Sequence, residues 1–485
     1  MFRLNRLCAA VAVFVAFGSV YVAAAPKKVV KPAPKAAPKV AAKPAIPPMP
    51  TGPKLLKIVA GQAFEAIPTA GPSLLSFTLC PEQVAPMTFS ATFGKPVTVK
   101  AEGVDLVGPG KITKDNVTVK LVKGSDLLPA ENVEINPAAS VFWVDVTVPR
   151  GTKPGLYKGY VKFSTPEKQL DIVSMEVNVL PLRLIGSSKQ YALYTSMGPS
   201  AEGSAALGAD AYASLLQNVS ALGFRAIAVN ADPDKIADTL KACGSAGLVG
   251  GTPILAFASG CGIPSIGEVQ AVEAAKRAAG IPTLFQFCAN NPCSEEEITA
   301  AVDRARLMRQ AKCQVAATVS DAETAEKLLP VCHAINYRID MPYVQNLING
   351  GSDRTDKWEW YWWDARQDVR DNRINAGIAL WRSGLYGCMP LWMPEQDGDG
   401  AMTLNSLMGM ALREGVTDTR YITTYMKALR ELKDKKRQAD KDYIASTESY
   451  LAAFLARPLG GVTNQDLRAF RAKMVEFTNK LEARL

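Results

Sequence analysis

The chain has 485 residues, too many for one compact core, and its 48% hydrophobic and 21% charged residues are ordinary for globular protein, so two or more folded domains are expected. The net charge of +9 lies in the tail, since residues 1–54 hold nine Lys or Arg and no acid, which leaves 46 basic and 46 acidic residues in the remainder. A neutral folded body disfavours nucleic-acid binding, because phosphate recognition needs basic residues clustered on the folded surface.

The first 25 residues have the pattern of a signal peptide. Arg3 and Arg6 form a basic start, residues 7–22 are apolar, and three alanines at 23–25 supply the small residues of a cleavage site. We expect cleavage after Ala24 and export to the periplasm or the extracellular space. The alternative is a retained membrane anchor, but the apolar run barely reaches the length that spans a bilayer, and no other segment is expected to do so.

Residues 26–54 are almost wholly Pro, Ala, Lys and Val. This composition cannot bury a core, so the segment is predicted to be an extended linker. Solubilising the chain and contacting anionic envelope polymers are equally good interpretations of its lysines.

Nine cysteines occur, and Cys8 would leave with the signal peptide, so eight would remain in a compartment that permits disulfides. Sequence alone does not assign their pairing. Cys288 and Cys293 are close enough to bridge across a tight loop, and buried free thiols are an equally good interpretation. With no Cys-x-x-Cys pair and with His333 as the only histidine, neither a metal site nor a cofactor is expected.

From residue 55 to 185 the sequence consists of short alternating runs separated by Gly and Pro. Period-two alternation without helical stretches predicts an antiparallel β-sandwich. The clearest runs lie at 97–100, 117–122, 141–148, 157–163 and 173–180.

Residues 186–416 alternate short apolar strands with amphipathic helices, the pattern of βα units around a parallel sheet. Eight such units predict a (β/α)8 TIM barrel. Its strands are expected at 191–197, 224–230, 253–259, 283–289, 314–319, 334–339, 358–363 and 387–393. Residues 417–485 are polar and helical in pattern, and we expect them to pack on the barrel exterior as a C-terminal helical region.

The segment from Trp358 to Tyr421 contains a distinctive series of motifs. An aromatic strand precedes an Arg-initiated helix with Trp and Gly-x-x-Gly, a Trp-ended strand and a Leu-Arg-Glu-Gly-x-x-Asp motif. These are carried by Arg373, Trp381, Gly384, Gly387, Trp392, Ser406, Leu412, Arg413, Glu414, Gly415 and Asp418. The series resembles the catalytic-domain end of glycoside hydrolase family 123 and its uncharacterised relatives. It departs from that family at Met408 and Thr419, where the family has Arg and Tyr.

The resemblance implies where catalysis would occur. In the family an Asp-Glu pair, commonly followed by Pro, ends the fourth strand; the Asp orients the substrate's 2-acetamido group and the Glu protonates the leaving oxygen. Asn290 and Asn291, followed by Pro292, fall on these places here. Because an amide has no transferable proton, the sequence predicts an impaired or inactive pseudoenzyme. The alternative is that the pair lies among the glutamates at 295–297, which are typical of a first helical turn.

Other acids near the strand ends are weaker candidates. Glu359, Asp364, Glu395 and Asp397 are the alternative catalytic acids for an enzyme that has replaced the family pair. Two of them facing each other across one cleft are needed for the usual two-carboxylate mechanism.

Tyr361, Trp363, Trp392 and Asp340 are the candidate substrate-binding residues. Aromatic rings suit the apolar face of a sugar, and Tyr361 and Trp363 share one face of the seventh strand with Glu359. The competing interpretation is that these rings pack in the core, which is the commoner role of Trp on a barrel strand.

These observations predict an exported glycoside-hydrolase-like protein that binds carbohydrate or scaffolds in the cell envelope. An active glycosidase, of N-acetylhexosaminidase type or another, is one alternative, and a structural interaction protein is a second.

Overall fold

The computed structural model describes residues 55–195, 197–198, 206–231, 235–248, 254–258, 265–350, 359–365, 368–392 and 404–485. The expected signal peptide and linker lie outside these ranges. Within them, no helix combines the length and the apolar character needed to cross a membrane.

The N-terminal part of the described chain is made of short strands. They are β1 (Lys57–Gln62), β2 (Leu74–Leu79), β3 (Val84–Thr92), β4 (Val97–Gly103), β5 (Leu106–Val107), β6 (Lys111–Ile112), β7 (Val117–Lys123), β8 (Asp126–Pro129), β9 (Val133–Ile135), β10 (Ser140–Thr147), β11 (Gly155–Ser164) and β12 (Gln169–Val179). One sheet has the order β1-β3-β10-β7-β8 and the other β2-β12-β11-β4-β9, with β5 and β6 beside β11. Pairing is antiparallel except between β2 and β12.

These two sheets share one apolar core because their strands alternate buried and exposed residues, as β12 does along its length. Phe89 and Phe142 of the first sheet stack with ring centroids 5.1 Å apart. Phe163 of the second sheet meets both edge-on, at 5.9 and 5.4 Å. The antiparallel sheet region expected from the alternating runs is thus confirmed.

A closed parallel sheet follows. Its strands are β13 (Gln190–Tyr194), β14 (Ala226–Ala231), β15 (Ile254–Ala258), β16 (Leu284–Asn290), β17 (Gln314–Val319), β18 (Ala334–Arg338), β19 (Glu359–Asp364) and β20 (Gly387–Leu391). Each pairs with the next, and β20 pairs back with β13. Helices lie between successive strands: α1 (Ala209–Ala221), α2 (Ile236–Ser245), α3 (Ile266–Ala278), α4 (Glu295–Gln310), α5 (Ala322–Leu328), α6 (Pro342–Gly350), α7 (Val369–Ile374) and α8 (Leu380–Ser383).

Alternate residues of these strands fill the inside of the barrel. Bulky side chains from β16 and β19 face alanines from β13, β14, β17 and β18, so large and small residues complement each other. The interior cluster is Ala192, Tyr194, Ala226, Ala228, Phe285, Phe287, Ala316, Ala334, Trp360, Trp362 and Met389. The intervening residues face outward and pack under the helices.

Three further helices complete the chain: α9 (Leu407–Asp434), α10 (Lys441–Leu455) and α11 (Asn464–Glu482). Helix α9 begins where Ser406 caps Gly409. At the same point the Leu407 N–H donates to the carbonyl of Ser125 at 2.8 Å, which ties the helix start to the N-terminal sheets.

A buried ion cluster joins α7, α9 and α11. Asp418, fully buried on α9, accepts hydrogen bonds from Arg373 at 3.0 and 3.2 Å. Arg471 of α11 lies 2.5 Å from Asp418 and 2.6 Å from Glu414. Burial alone lowers the pKa of Arg471, but these two carboxylates outweigh it and raise that pKa above its ordinary value. The Glu-x-x-x-Asp part of the motif therefore provides the charges that hold three helices together.

The Arg of the same motif connects the two halves of the fold. Arg413 donates to Asp145 of β10 at 2.5 Å, and both side chains are nearly buried. Removing either side chain would leave the other charge buried without a partner. The pair therefore stabilises this interface only while both charges are present.

Gly415 allows α9 to pass close to the end of α7 and to the π-helical segment at 375–379 that continues it. A Cβ at this position would stand 2.7 Å from the Arg373 carbonyl oxygen and 2.8 Å from the Ala376 Cβ. Helix propensity favours Ala over Gly by about 1 kcal/mol, but overpacking costs roughly 1 to 3 kcal/mol. We expect Gly415→Ala to lower the midpoint of urea unfolding, whereas Gly460→Ala, with no atom within 4 Å of its Cβ, should leave it unchanged. A raised midpoint for Gly415→Ala would contradict this close approach.

Candidate functional site at the barrel mouth

The carboxyl end of β16 carries the first predicted site residue. A register shift between Phe287 and Ala289 precedes Asn290, which ends the strand with an exposed side chain. The Oδ1 of Asn290 accepts a hydrogen bond from the hydroxyl of Tyr194. Because Tyr194 belongs to the interior cluster, this contact places Asn290 at the mouth of the barrel.

Tyr194 connects the mouth to the barrel interior. Burial raises the pKa of its hydroxyl well above the ordinary value, so the phenol keeps its proton and remains a donor. Its ring meets Trp362 edge-on, with centroids 6.3 Å apart. The mouth therefore combines an amide, a phenol and an indole.

Asn291 has a different role from its neighbour. Its φ of +52° lies in the left-handed region, which Asn tolerates better than most residues. Its N–H donates to the Thr318 carbonyl at 2.8 Å, and this bond fixes the exit from β16. The buried Oδ1 of Asn291 has no hydrogen-bond partner among the described residues.

The glutamates at 295–297 lie in the first turn of α4. Glu297 forms a capping box with Ser294, and its carboxylate also accepts from the Cys293 N–H at 2.7 Å. Glu295 pairs with Lys327 at 2.6 Å on the surface. These carboxylates thus serve the helix start and surface ion pairs, as their position in the sequence indicates.

Below the mouth, an amide lies in the barrel wall without a partner. Asn336 of β18 is 3% exposed, and neither its Nδ2 nor its Oδ1 has a hydrogen-bond partner in the described part of the chain. The register links Asn290 to Thr318 and Thr318 to Asn336, so these side chains share the inner face of neighbouring strands. A buried amide needs polar partners, so this position suits a polar ligand group or water.

The predicted aromatic residues of β19 lie on its outer face. The Tyr361 hydroxyl donates to the Asn375 carbonyl, and the Trp363 Nε1 donates to Asn372 Oδ1 at 2.9 Å. Both rings therefore pack between the sheet and the residues around α7, which is the packing interpretation that the sequence left open. Trp360 and Trp362, the alternate residues, are those inside the barrel.

Glu359 lies at the amino end of the same outer face. It is 7% exposed, and its carboxylate accepts hydrogen bonds from Tyr337 and Tyr343, at 3.3 and 3.1 Å. The structure therefore places this acid at the end of the barrel opposite Asn290, among tyrosines of β18 and α6.

Asp364 ends β19 on the same face as Trp362 and is half-buried. Among the predicted acids in the described part of the chain, Asp364 is therefore the one at the carboxyl end of the barrel strands and on their inner face. Glu395 and Asp397 lie outside the described residues.

The two remaining predicted residues lie beside the mouth. Asp340 is exposed and pairs with Arg338 at 2.5 Å. Trp392 is 1% exposed, and its N–H donates to the Tyr194 carbonyl at 2.7 Å, so its backbone ties β20 to β13.

No family model matches this chain, and no curated protein sequence matches it. Among solved structures, it is similar to a family 123 glycoside hydrolase from Clostridium perfringens, with a TM-score of 0.61 and 10% identity over 88% of this chain and 98% of that one. A GH5 xyloglucanase from Bacteroides ovatus gives a TM-score of 0.29 and 9% identity over 75% and 100% of the two chains. The Clostridium structure shows that this chain has a glycoside-hydrolase-like fold, as the sequence motifs indicated.

Proposed function

We propose that this chain is a (β/α)8 protein of the glycoside-hydrolase kind that binds carbohydrate at its barrel mouth without cleaving it. The observation that carries the proposal is Asn290, an exposed amide at the end of β16 held by the Tyr194 hydroxyl. An amide has no acidic proton, and a general acid alone contributes roughly a hundred- to ten-thousandfold in rate.

The surroundings of Asn290 are suited to a sugar. Asn290 is exposed and offers an amide for a sugar hydroxyl or acetamido group, and the rings of Tyr194 and Trp362 lie directly behind it. The family resemblance favours a 2-acetamido sugar as the ligand class.

The mature chain should bind glycans on an array and give no turnover of chromogenic N-acetylhexosaminides. Ready turnover by the unaltered chain would end the proposal. Absence of binding to any glycan would favour the structural interaction protein instead.

An active glycosidase is the second candidate, and the position of Asp364 favours it. Its partner would be Glu395 or Asp397, at a separation of about 5 to 9.5 Å across the cleft. If the unaltered chain hydrolyses a glycan, Asp364→Asn should abolish that activity, while Asp303→Asn, which changes an exposed acid of α4, should preserve it.

Replacing Tyr194 with Phe should weaken glycan binding by roughly three- to tenfold, since one net hydrogen bond is worth about 0.5 to 1.5 kcal/mol. The reason is that Asn290 loses the donor that orients its amide. Tyr361→Phe is the matched control, because it removes one hydroxyl hydrogen bond on the outer face. Calorimetric titration should show weaker glycan binding for Tyr194→Phe alone. Equal weakening in both variants would mean that Asn290 does not belong to the binding site.

We also propose export, with the signal peptide removed after Ala24 and residues 26–54 acting as a linker. The basic start, apolar run and three alanines support it. N-terminal sequencing of the exported chain should begin at Ala25, whereas an intact leader would favour the membrane anchor.

A further inference from the structure

Two cysteines approach each other on the outer face of the barrel strands. The Sγ atoms of Cys288 and Cys332 are 3.6 Å apart. Cys288 is fully buried at the register shift of β16, and Cys332 is half-buried in the segment between α5 and β18. A disulfide needs its sulfurs at about 2.05 Å, so the pair lies within a small side-chain movement of bonding distance.

Cys293, the other partner that sequence allows for Cys288, has a different orientation. It is exposed, and its thiol donates to the Asn291 carbonyl at 3.1 Å. Cys288 instead lies under α4, where Arg304 donates to its carbonyl at 2.8 Å. The geometry thus favours the long-range pair over the short-range one.

Other buried thiols contact groups that cannot form disulfides. Cys80 lies 3.9 Å from the Tyr421 hydroxyl, and Cys243 lies 4.0 Å from that of Tyr212. The Cys313 thiol donates to the Met308 carbonyl at 3.0 Å. These thiols serve as internal controls in the alkylation experiment below, where each should react as a free thiol once the chain is unfolded.

We propose that Cys288 and Cys332 form a structural disulfide in the exported chain. The oxidant is an external disulfide: one thiolate attacks it, releases one thiol and forms a mixed disulfide, which the second cysteine then displaces. The two cysteines lose two protons and two electrons, and the external disulfide is reduced to two thiols. The proposal rests on export, because a reducing compartment would keep the pair open, and it is independent of glycan binding.

The bond would close a loop from residue 288 to 332 that contains α4, β17 and α5. It would also fix the strand that ends in Asn290 to the segment before β18. Cross-links over loops of such length restrict the unfolded chain, and we expect a rise in melting temperature of roughly 5 to 10 °C.

Peptide mapping tests the pairing. In the reduced form the neighbouring Cys288 thiol and burial raise the pKa of Cys332, so the exported chain must be unfolded before its free thiols are alkylated. Trypsin should then yield peptide 278–304 joined to peptide 328–338, with the alkyl group on Cys293. Fragmentation before Pro292 separates Cys288 from Cys293. Alkylation of both Cys288 and Cys332, or a bond from Cys288 to Cys293, would overturn the proposal.

Thermal unfolding provides the second test. Reductant should lower the melting temperature of the unaltered chain by the expected amount, and should have no effect on Cys332→Ser. Cys293→Ser is the matched control and should keep the full response to reductant. If Cys332→Ser fails to fold, the unaltered chain alone provides the test. A melting temperature that is the same with and without reductant would contradict the disulfide.

Discussion

Replacing Asp418 with Asn should lower the free energy of unfolding by about 3 to 5 kcal/mol, the usual cost of breaking a buried ion pair from one side. Asp418 has no solvent exposure and accepts hydrogen bonds from Arg373 and Arg471. The substitution preserves shape but removes the negative charge. Among the described residues, Arg373 would then have no charged partner for its buried guanidinium group, and Arg471 would keep only Glu414, 2.6 Å away.

Urea unfolding of the mature chain measures this loss. Asp303→Asn is the matched control, since Asp303 forms an exposed pair with Arg306 at 3.0 Å. Exposed pairs contribute about 0 to 1 kcal/mol, so the control should be nearly neutral. Equal midpoints for the two variants would mean that water reaches the buried cluster and screens it.

The ion cluster explains why the motif around Asp418 is recognisable. Arg373, Glu414 and Asp418 hold α7, α9 and α11 together, and Gly415 lets the helices approach. None of these contacts involves the barrel mouth. A resemblance based on these residues is therefore good evidence for the fold and indirect evidence for catalysis.

The positions of the strands were predictable because apolar runs bounded by turns carry a strong local signal. The fourth strand, expected at 283–289, is Leu284–Asn290, and the fifth, expected at 314–319, is Gln314–Val319. The position of Asn290 at the carboxyl end of β16 was predictable by the same reasoning, since the strand ends of a parallel barrel are where candidate site residues are expected.

The sequence did not predict which aromatic side chains of β19 face into the barrel. The strand is buried on both sides, so Trp and Tyr occur at every position from 360 to 363 and no polar alternation marks the inner face. Tyr194 was missed for a related reason, because its partner Asn290 lies 96 residues away in sequence. Asn336 gave one usable signal, a polar residue between Ile335 and Tyr337 in the buried part of its strand.

Introducing an acid pair at positions 290 and 291 should create the hydrolysis that the proposed function denies to the unaltered chain. In Asn290→Asp, Asn291→Glu, the first carboxylate can still accept from the Tyr194 hydroxyl, and the second supplies the proton that the amide lacks. We expect turnover of a chromogenic N-acetylhexosaminide to rise by at least about a hundredfold. The rise will be limited by strain at residue 291, because its φ of +52° costs a longer side chain roughly 1 to 2 kcal/mol.

The single variant Asn290→Asp separates orientation of the acetamido group from proton donation to the leaving oxygen. It restores a charge that can orient and stabilise an acetamido group but no proton donor for the leaving oxygen, so its turnover should stay near that of the unaltered chain. The double variant should also lose activity as pH rises through the pKa of its new acid, because only the protonated carboxyl can donate. If the double variant binds glycan as the unaltered chain does and still gives no turnover, Asn291 does not occupy the position of the general acid, and Asp364 becomes the first acid to replace.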